Sequence, residues 1–318
     1  MDWFGAGING PLIVIRAIHF GATAVTAGAL IFHVIVTRPA LHSPAIAKLL
    51  RRQTLWVAWV SLAIAVASGV VWLLFQAASM SGLPLREALT PGILLTVLNE
   101  TQFGWVSEIR TGLAIVLAAG LALNRFAPAN WLALAAALGL IAAIAWTGHA
   151  GSTPGAIGDL HLAADALHLC AAAGWIGGLV PLALLLAAAS RQQEVAWASL
   201  ARDAARRFST LGIVSVATLT ATGTLNAWIL VGSFHALVVT DYGQLLMLKI
   251  AVFAVMLVFA AVNRFWLTPQ LAFAPGCAAQ LKALGQLTRN STIEIVLGFI
   301  IFAIVGLLGT LHPAIHLL

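Results

Sequence analysis

Long runs of apolar residues recur along the whole chain, and each is close to the length that crosses a lipid bilayer. A transmembrane helix needs about 20 mainly apolar residues, and these runs are rich in Leu and Ala, which favours helices over barrel strands. Eight runs can be drawn, at about Pro11–Val36, Leu55–Ala78, Phe103–Leu123, Trp131–Thr147, Leu160–Ala188, Phe208–Gly232, Gly243–Val262 and Ile293–Leu311. The sequence therefore predicts an all-α polytopic membrane protein with eight transmembrane helices, built as a single integral membrane domain.

The overall composition agrees with a membrane protein and excludes several classes of function. Of the 318 residues, 61% are hydrophobic and 8% are charged, whereas a soluble domain carries about 25% charged residues. The sequence has no P-loop, no HExxH and no GxSxG motif, and the segments between the apolar runs are too short for an ATP-binding domain. We therefore expect neither a primary pump nor a nucleic-acid-binding protein, and a transporter or metal-binding protein rather than an enzyme.

The basic residues between the runs alternate in a way that predicts the orientation. The even-numbered connections hold only Arg86. The odd-numbered connections hold the others: Arg38, Lys48, Arg51, Arg52, Arg125, Arg191, Arg202, Arg206, Arg207, Arg264, Lys282 and Arg289. Because loops rich in Lys and Arg stay in the cytoplasm, we expect the odd connections there and both termini on the opposite side.

The chain also resembles itself, which predicts a duplication. TQFGWVSEIRTGLAIVLAAGLALNRF aligns with TDYGQLLMLKIAVFAVMLVFAAVNRF, and IRAIHFGATAVTAGAL aligns with ADALHLCAAAGWIGGL. Residues 1–130 then hold the first three spans of copy one, residues 131–150 its fourth, and residues 151–318 copy two. Four spans per copy keep both copies in one orientation, so we predict two parallel four-helix repeats. The matched pairs are His19 and His168, Gly28 and Gly177, Arg16 and Asp165, Arg110 and Lys249, Ser68-Gly69 and Thr222-Gly223, and, roughly, His149 and His312.

A cluster of polar residues in the fifth run is the candidate functional site. His161, Asp165 and His168 are spaced i, i+4, i+7, so they share one helical face, which Trp175 continues. An aspartate beside a histidine orients it and raises its basicity, and glycines at 28, 177 and 178 allow spans one and five to approach closely. Arg16 is expected to pair with Asp165, since a lone charge within the membrane is costly.

Four other charged residues lie inside the apolar runs, and we expect them either to stabilise the helix bundle or to line an ion pathway. These are Glu108, Arg110, Lys249 and Glu294. Lys249 and Glu294 lie on consecutive runs and are predicted to form an ion pair, while the partners of Glu108 and Arg110 lie on neighbouring helices.

Three interpretations of the histidine cluster are open at this point. In the first, the polar groups only hold the bundle together. In the second, they bind a metal such as copper, for which imidazole is a suitable ligand. In the third, His19 and His168 hold a haem b between them. A two-haem cytochrome would need a second pair of histidines, and Leu182 stands where the partner of His33 would be.

The stretch HLAADALHLCAAAGWIGGLVPL resembles a signature of the CopD family of bacterial copper-resistance membrane proteins. The resemblance extends over essentially the whole chain, through SEIRTGLAIVLAAG, AWTGHA, TDYGQLLMLK with VNRF, and RNSTIEIVLGFIIFAIVGLLGTLHP. It implies an eight-span protein of the bacterial inner membrane that is linked to periplasmic copper handling and is often encoded near a small periplasmic copper protein called CopC, the expected partner. In such a membrane the termini, which the basic residues place opposite the cytoplasm, are periplasmic. Related families include a histidine-ligated haem protein that acts on protoporphyrinogen, so the haem interpretation stays open.

Together these observations give one hypothesis for the site. His161, Asp165 and His168 would belong to a copper site entered from the periplasm, with His149 and His312 as outer ligands and His19 as the symmetry-related inner ligand. Arg16, Trp175, Glu108, Arg110, Lys249 and Glu294 would support the site or line an ion path. His42 and His235 should be replaceable without effect. The oxidation state of copper, the direction of transport and the oligomeric state stay open.

Overall fold

The computed structural model describes residues 9–38, 44–192, 194–273 and 277–316. Within these residues it is all-helical and has eight helices long and apolar enough to cross a membrane, which confirms the predicted number of spans. Spans 1 to 8 are Gly10–Thr37, Pro44–Ser81, Gln102–Ala122, Ala127–Thr147, Gly155–Gln192, Val195–Val231, Asp241–Gln270 and Ala278–Leu308. Spans 1–4 are called the first half below, and spans 5–8 the second half.

Several spans are longer than the apolar runs that predicted them. Span 2 begins at Pro44 rather than Leu55, span 6 at Val195 rather than Phe208, and span 8 at Ala278 rather than Ile293. The added segments contain Arg, Lys, Ala and Leu, which lower the local hydropathy but are strong helix formers. The helices therefore continue beyond the apolar stretch at the end where the basic residues lie.

Three short helices between spans were missed by the sequence analysis. Leu85–Ala88 and Pro91–Glu100 precede span 3, and Phe234–Val239 precedes span 7. Spans 3 and 7 then begin in the same way, because the hydroxyls of Thr101 and Thr240 cap them by accepting from the N–H three residues later. The shared TQFG and TDYG sequences thus form the same local structure.

Spans 1 and 5 lie together in the middle of the bundle, where their backbones touch. A Cβ atom on Gly28 would lie 2.3 Å from the carbonyl carbon of Gly177, and one on Gly177 would lie 2.0 Å from the carbonyl oxygen of Ala24. The predicted close approach at these two glycines is therefore confirmed. The contact falls at a π-helical turn, Ala173–Gly177, which precedes Pro181; Pro181 has no N–H to donate to the Gly177 carbonyl.

The remaining spans surround this central pair in a regular way. Span 1 packs on spans 2 and 4 of its own half and on span 8 of the other half. Span 5 packs on spans 6 and 8 of its own half and on span 4 of the other half. Corresponding spans therefore surround span 1 and span 5, and His19 and His168 on these spans face equivalent partners.

Candidate functional site

Spans 5 and 6 are joined by two side-chain contacts one helical turn apart. The Nδ1 atom of His168 lies 3.0 Å from the hydroxyl oxygen of Thr222. One turn away, the amide nitrogen of Asn226 donates to Asp165 at 3.1 Å. Asp165 and His168 are three residues apart on span 5, and Thr222 and Asn226 are four apart on span 6, so both pairs lie between the same two helix faces.

The hydroxyl of Thr222 sets the tautomer of His168. A hydroxyl has one proton to donate, and that of Thr222 goes to the carbonyl oxygen of Thr218 at 2.6 Å. The Thr222 oxygen can then only accept from His168, so Nδ1 carries the proton and Nε2 keeps its lone pair. Metal-binding histidines are commonly held in this way, with one nitrogen anchored and the other available as a ligand.

His161 is held in the same tautomer at the start of span 5. It is buried, and its Nδ1 lies 2.9 Å from the hydroxyl of Thr153, which itself donates to the carbonyl oxygen of His149 at 3.1 Å. Thr153 therefore links two of the predicted ligands. The Nε2 of His149 donates to the carbonyl of Leu308 at 3.3 Å, and its ring packs on that of Tyr242.

His19 of span 1 has nearly the same immediate partners as His168. Its Nδ1 lies 3.0 Å from the hydroxyl of Ser68, which donates to the carbonyl of Ile64 at 2.6 Å. The glycine after each hydroxyl residue makes room for the ring: a Cβ on Gly69 or on Gly223 would lie 3.3 Å from Cε1 of the nearby imidazole. In each half, a hydroxyl residue followed by glycine therefore holds an imidazole ring in place.

The charges around these two histidines are different. In the first half, the guanidinium carbons of Arg16 and Arg110 each lie 5.4 Å from the ring centre of Trp72, which packs on His19 at 5.4 Å. In the second half, Lys249 attracts Asp165 electrostatically. The first-half site is therefore doubly cationic, while the second-half site contains one carboxylate and one ammonium group.

The buried atoms without a hydrogen-bond partner follow the same division. Within the described residues there are four, and three are donors of the first-half site: Nε of Arg16, Nε of Arg110 and Nε1 of Trp72. The fourth is an acceptor of the second-half site, the Oδ1 of Asn226. Because an ionised carboxylate only accepts, the nitrogen of Asn226 must face Asp165, and this orientation leaves the oxygen without a donor.

Both predicted ion pairs are wrong. Arg16 donates to the carbonyl oxygen of Gly309 at 2.9 Å, whereas Asp165 bonds to Asn226. Glu294 accepts from Asn263 at 2.7 Å instead of meeting Lys249. In the part of the chain that the structure describes, the one ion pair within 4.0 Å joins Arg202 and Asp203. Arg16 thus bonds to a backbone carbonyl, and Asp165 and Glu294 each accept from an amide side chain, in place of the predicted partners.

The other predicted site residues are scattered. Glu108 is exposed on span 3 and His312 is exposed after span 8. Trp175 is buried, packs on Phe253 and lies beside Glu294. His42 lies outside the described residues, and His235 is exposed.

No group of three or more His, Cys, Asp or Glu residues close enough to hold a metal ion occurs among residues 9–38, 44–192, 194–273 and 277–316. The proposed ligand set therefore does not form a preassembled cage. His161 and His168 are seven residues apart, which separates them by about 10 Å along the helix. Their two Nε2 atoms are separate points along one helix.

Sequence reasoning missed the residues that orient these side chains, namely Thr153, Ser68, Thr222 and Asn226. The match between Ser68-Gly69 and Thr222-Gly223 contained the signal for two of them, because each repeated pair faces a repeated histidine. Asn226 had no such signal: its counterpart at the same offset is Trp72.

Comparisons with known proteins concern both halves of the chain. A family model described as "Copper resistance protein D-like, N-terminal domain" matches residues 8–159, and one described as "Copper resistance protein D" matches residues 202–308. Copper resistance protein D of Pseudomonas syringae pv. tomato is 30% identical over 247 residues, covering 77% of this chain and 79% of that protein.

Two further relatives are about as similar to this chain. Inner membrane protein YebZ of Escherichia coli (strain K12) is 31% identical over 252 residues, which cover 76% of this chain and 82% of that protein. Copper transport protein CutJ of Bacillus subtilis (strain 168) is 34% identical over 183 residues, covering 56% of this chain and 33% of that protein. No solved structure matches significantly.

Proposed function

Because this chain belongs to the CopD family of copper resistance proteins, we propose that it carries copper across the bacterial inner membrane, along span 5. The observation that carries the proposal is the pair of Nε2 lone pairs on His161 and His168, both held by hydroxyl groups on the other ring nitrogen. Imidazole nitrogen is a suitable copper ligand, and a buried lone pair without a proton suits a cation.

The charge of the second half supports the choice of span 5 over span 1. Asp165 supplies a carboxylate one turn from His168. Next to Asp165, the Oδ1 atom of Asn226 has no hydrogen-bond donor and supplies a second acceptor. His19 has an equivalent lone pair, but Arg16 and Arg110 lie nearby and repel a cation. In this proposal His19 is not a copper ligand, although the sequence hypothesis included it.

The separation of the ligands suits a carrier better than a storage site. An ion bound first near His149 and His161 and then near His168 and Asp165 meets few ligands at each point, so it can leave each one. Exposed His312 is the proposed outer contact, and a periplasmic CopC-like protein the proposed donor. Both termini are then periplasmic, following the distribution of basic residues.

The neighbours of spans 1 and 5 support two parallel repeats as the basis of movement. Span 1 packs on spans 2, 4 and 8, and span 5 packs on the corresponding spans 6, 8 and 4. The backbones of spans 1 and 5 meet at Gly28 and Gly177. A rocking motion of one half on the other about this contact, as in other carriers built from repeats, would move Nε2 of His168 between the two sides.

Copper uptake into proteoliposomes tests the proposal. Asp165→Asn keeps the shape of the side chain and removes its charge, and it should reduce copper uptake strongly. Asp241→Asn is the matched control, because Asp241 is an exposed carboxylate in the first turn of span 7. Unchanged copper uptake in the Asp165 variant would refute the route along span 5.

A haem b between His19 and His168 is the second candidate, because both histidines lie on the central spans with Nδ1 held by a hydroxyl group; Nε2 of His19 also lies 3.4 Å from the hydroxyl of Thr23. It would make the protein an electron carrier or a porphyrin oxidase. Purified protein would then show a bis-histidine haem absorption spectrum that either histidine variant abolishes.

A further inference from the structure

The two arginines beside Trp72 are buried cations without a counter-charge in the described part of the chain. Arg16 is 6% exposed and Arg110 is 7% exposed. No carboxylate of the described residues lies within 4.0 Å of either guanidinium. Arg16 makes one hydrogen bond, to the Gly309 carbonyl, and Arg110 makes none within the described residues. A charged side chain inside a bilayer is costly unless it is paired.

The unsatisfied groups of this cluster are all donors and are close together. Both guanidinium groups lie against the Trp72 ring, and their Nε atoms and the indole Nε1 have no acceptor. Three buried N–H groups without an acceptor therefore lie at one aromatic ring, and two of them belong to cations. Arg16 and Arg110 lie about 9 Å and 12 Å along their helices from the starts of spans 1 and 3, taking 1.5 Å per residue.

The second half carries opposite charges at the two positions that match these arginines. Asp165 occupies the position that matches Arg16, and Lys249 the position that matches Arg110. There a carboxylate attracts the ammonium group electrostatically, although the two are not within 4.0 Å of each other. In the first half both positions are arginine, and no carboxylate of the described residues lies within 4.0 Å of them.

We propose that Arg16, Arg110 and the Trp72 indole bind a small oxoanion or carboxylate. Guanidinium groups present paired N–H donors that match two oxygens of such an anion, and an aromatic face supports both cations. The anion comes either from solution or as the phosphate of a lipid headgroup. It neutralises the first half without using any copper ligand of the second half.

Thermal unfolding of the protein in phosphatidylcholine nanodiscs tests this proposal. Replacing sodium chloride by sodium nitrate or formate at constant ionic strength should raise the midpoint of the wild type until the site is saturated. Arg110→Gln should abolish that rise. Lys249→Gln is the matched control, since it removes a cation at the equivalent position of the other half, and it should keep the response to nitrate.

Lipid supplies the second arm of the experiment. A higher midpoint in phosphatidylglycerol nanodiscs with chloride alone, also lost in Arg110→Gln, identifies an anionic lipid headgroup as the source, because phosphatidylcholine carries a phosphate whose charge its own choline group neutralises. Trp72→Phe keeps the aromatic face and removes the N–H, and it should weaken the anion about tenfold or more, the effect of losing one hydrogen bond to a charged group. A wild type that responds to none of these anions, or an equal response in Arg110→Gln and wild type, overturns the proposal.

Discussion

His19 and His168 occupy matching places in the two halves, and the comparison separates what holds an imidazole from what decides its chemistry. In each half a hydroxyl from the second span fixes the proton on Nδ1, and a glycine makes room for the ring. One turn away the halves differ: Arg16 stands in one and Asp165 in the other. The same arrangement of hydroxyl, glycine and imidazole can therefore lie beside an anion site in one half and a cation site in the other.

The difference also shows in which buried atoms lack partners. The first half lacks acceptors around Trp72, and the second half lacks a donor for Asn226. An unpaired polar group that is buried costs about 1–3 kcal/mol, so a bound molecule of the right sign would stabilise each half. We therefore expect an anion to bind in the first half and a cation in the second half.

The largest expected effect comes from breaking the contact that joins the two halves. Gly177→Ala would place a Cβ atom 2.0 Å from the carbonyl oxygen of Ala24, and neither backbone can move without separating spans 1 and 5. We expect a loss of about 3 kcal/mol or more, beyond ordinary overpacking, measured as a lower unfolding midpoint and a smaller monodisperse fraction.

Gly112→Ala is the control for that variant, because nothing lies within 4 Å of the new Cβ atom. It should leave the unfolding midpoint unchanged or slightly higher, since Ala favours the helix over Gly. Equal destabilisation by both substitutions would contradict the role given to the contact between spans 1 and 5.

The next effect concerns the hydroxyl that orients His168. Thr222→Val keeps the side-chain shape and removes the acceptor for Nδ1–H, so copper affinity should fall about 10–100-fold, as for other groups that orient a metal ligand. Ser68→Ala removes the equivalent hydroxyl in the first half. Copper titration of both proteins distinguishes the halves, and an equal loss of affinity in the two variants would argue against the assignment of copper to span 5.

Asn226 should have a smaller effect on copper. Asn226→Leu removes the orphan oxygen and the donor to Asp165, and we expect copper to bind about tenfold more weakly, the equivalent of roughly 1.4 kcal/mol. The counterpart variant, Trp72→Phe, should leave copper affinity unchanged. Isothermal titration with copper compares the two variants. If Trp72→Phe weakens copper binding and Asn226→Leu does not, the assignment of copper to the second half is contradicted.

The smallest effect is expected at His235. This residue is exposed and lies outside both sites, so His235→Gln should leave copper affinity and the unfolding midpoint within error of the wild type. A measurable loss of copper would show that exposed histidines, and not span 5, bind the ion.

Hydropathy and the distribution of charge were enough to predict the helices but not the partners of the charges. Apolar runs of bilayer length specify a helix whatever its neighbours are, so the eight spans were found. Their extensions, such as residues 44–54 of span 2, were missed because charged residues end an apolar run without ending a helix.

Partners across helices could not be predicted because they depend on which faces meet. Opposite charges suggested Arg16 with Asp165, yet Arg16 bonds to the Gly309 carbonyl. Main-chain carbonyls and amide side chains leave no charge signal in a sequence. The duplication was more informative: it aligned Ser68 with Thr222 and His19 with His168, and the structure joins each histidine to the hydroxyl of its own half.

Metal content per chain tests the central claim most directly. Wild type, His168→Asn and His19→Asn would be purified from cells supplied with copper and iron; asparagine retains a polar atom near the position of Nδ1 and removes Nε2. We expect near-stoichiometric copper in the wild type and in His19→Asn, little copper in His168→Asn, and little iron in all three. Copper retained in His168→Asn, or near-stoichiometric iron lost in both variants, would contradict this expectation, and the second result would favour haem.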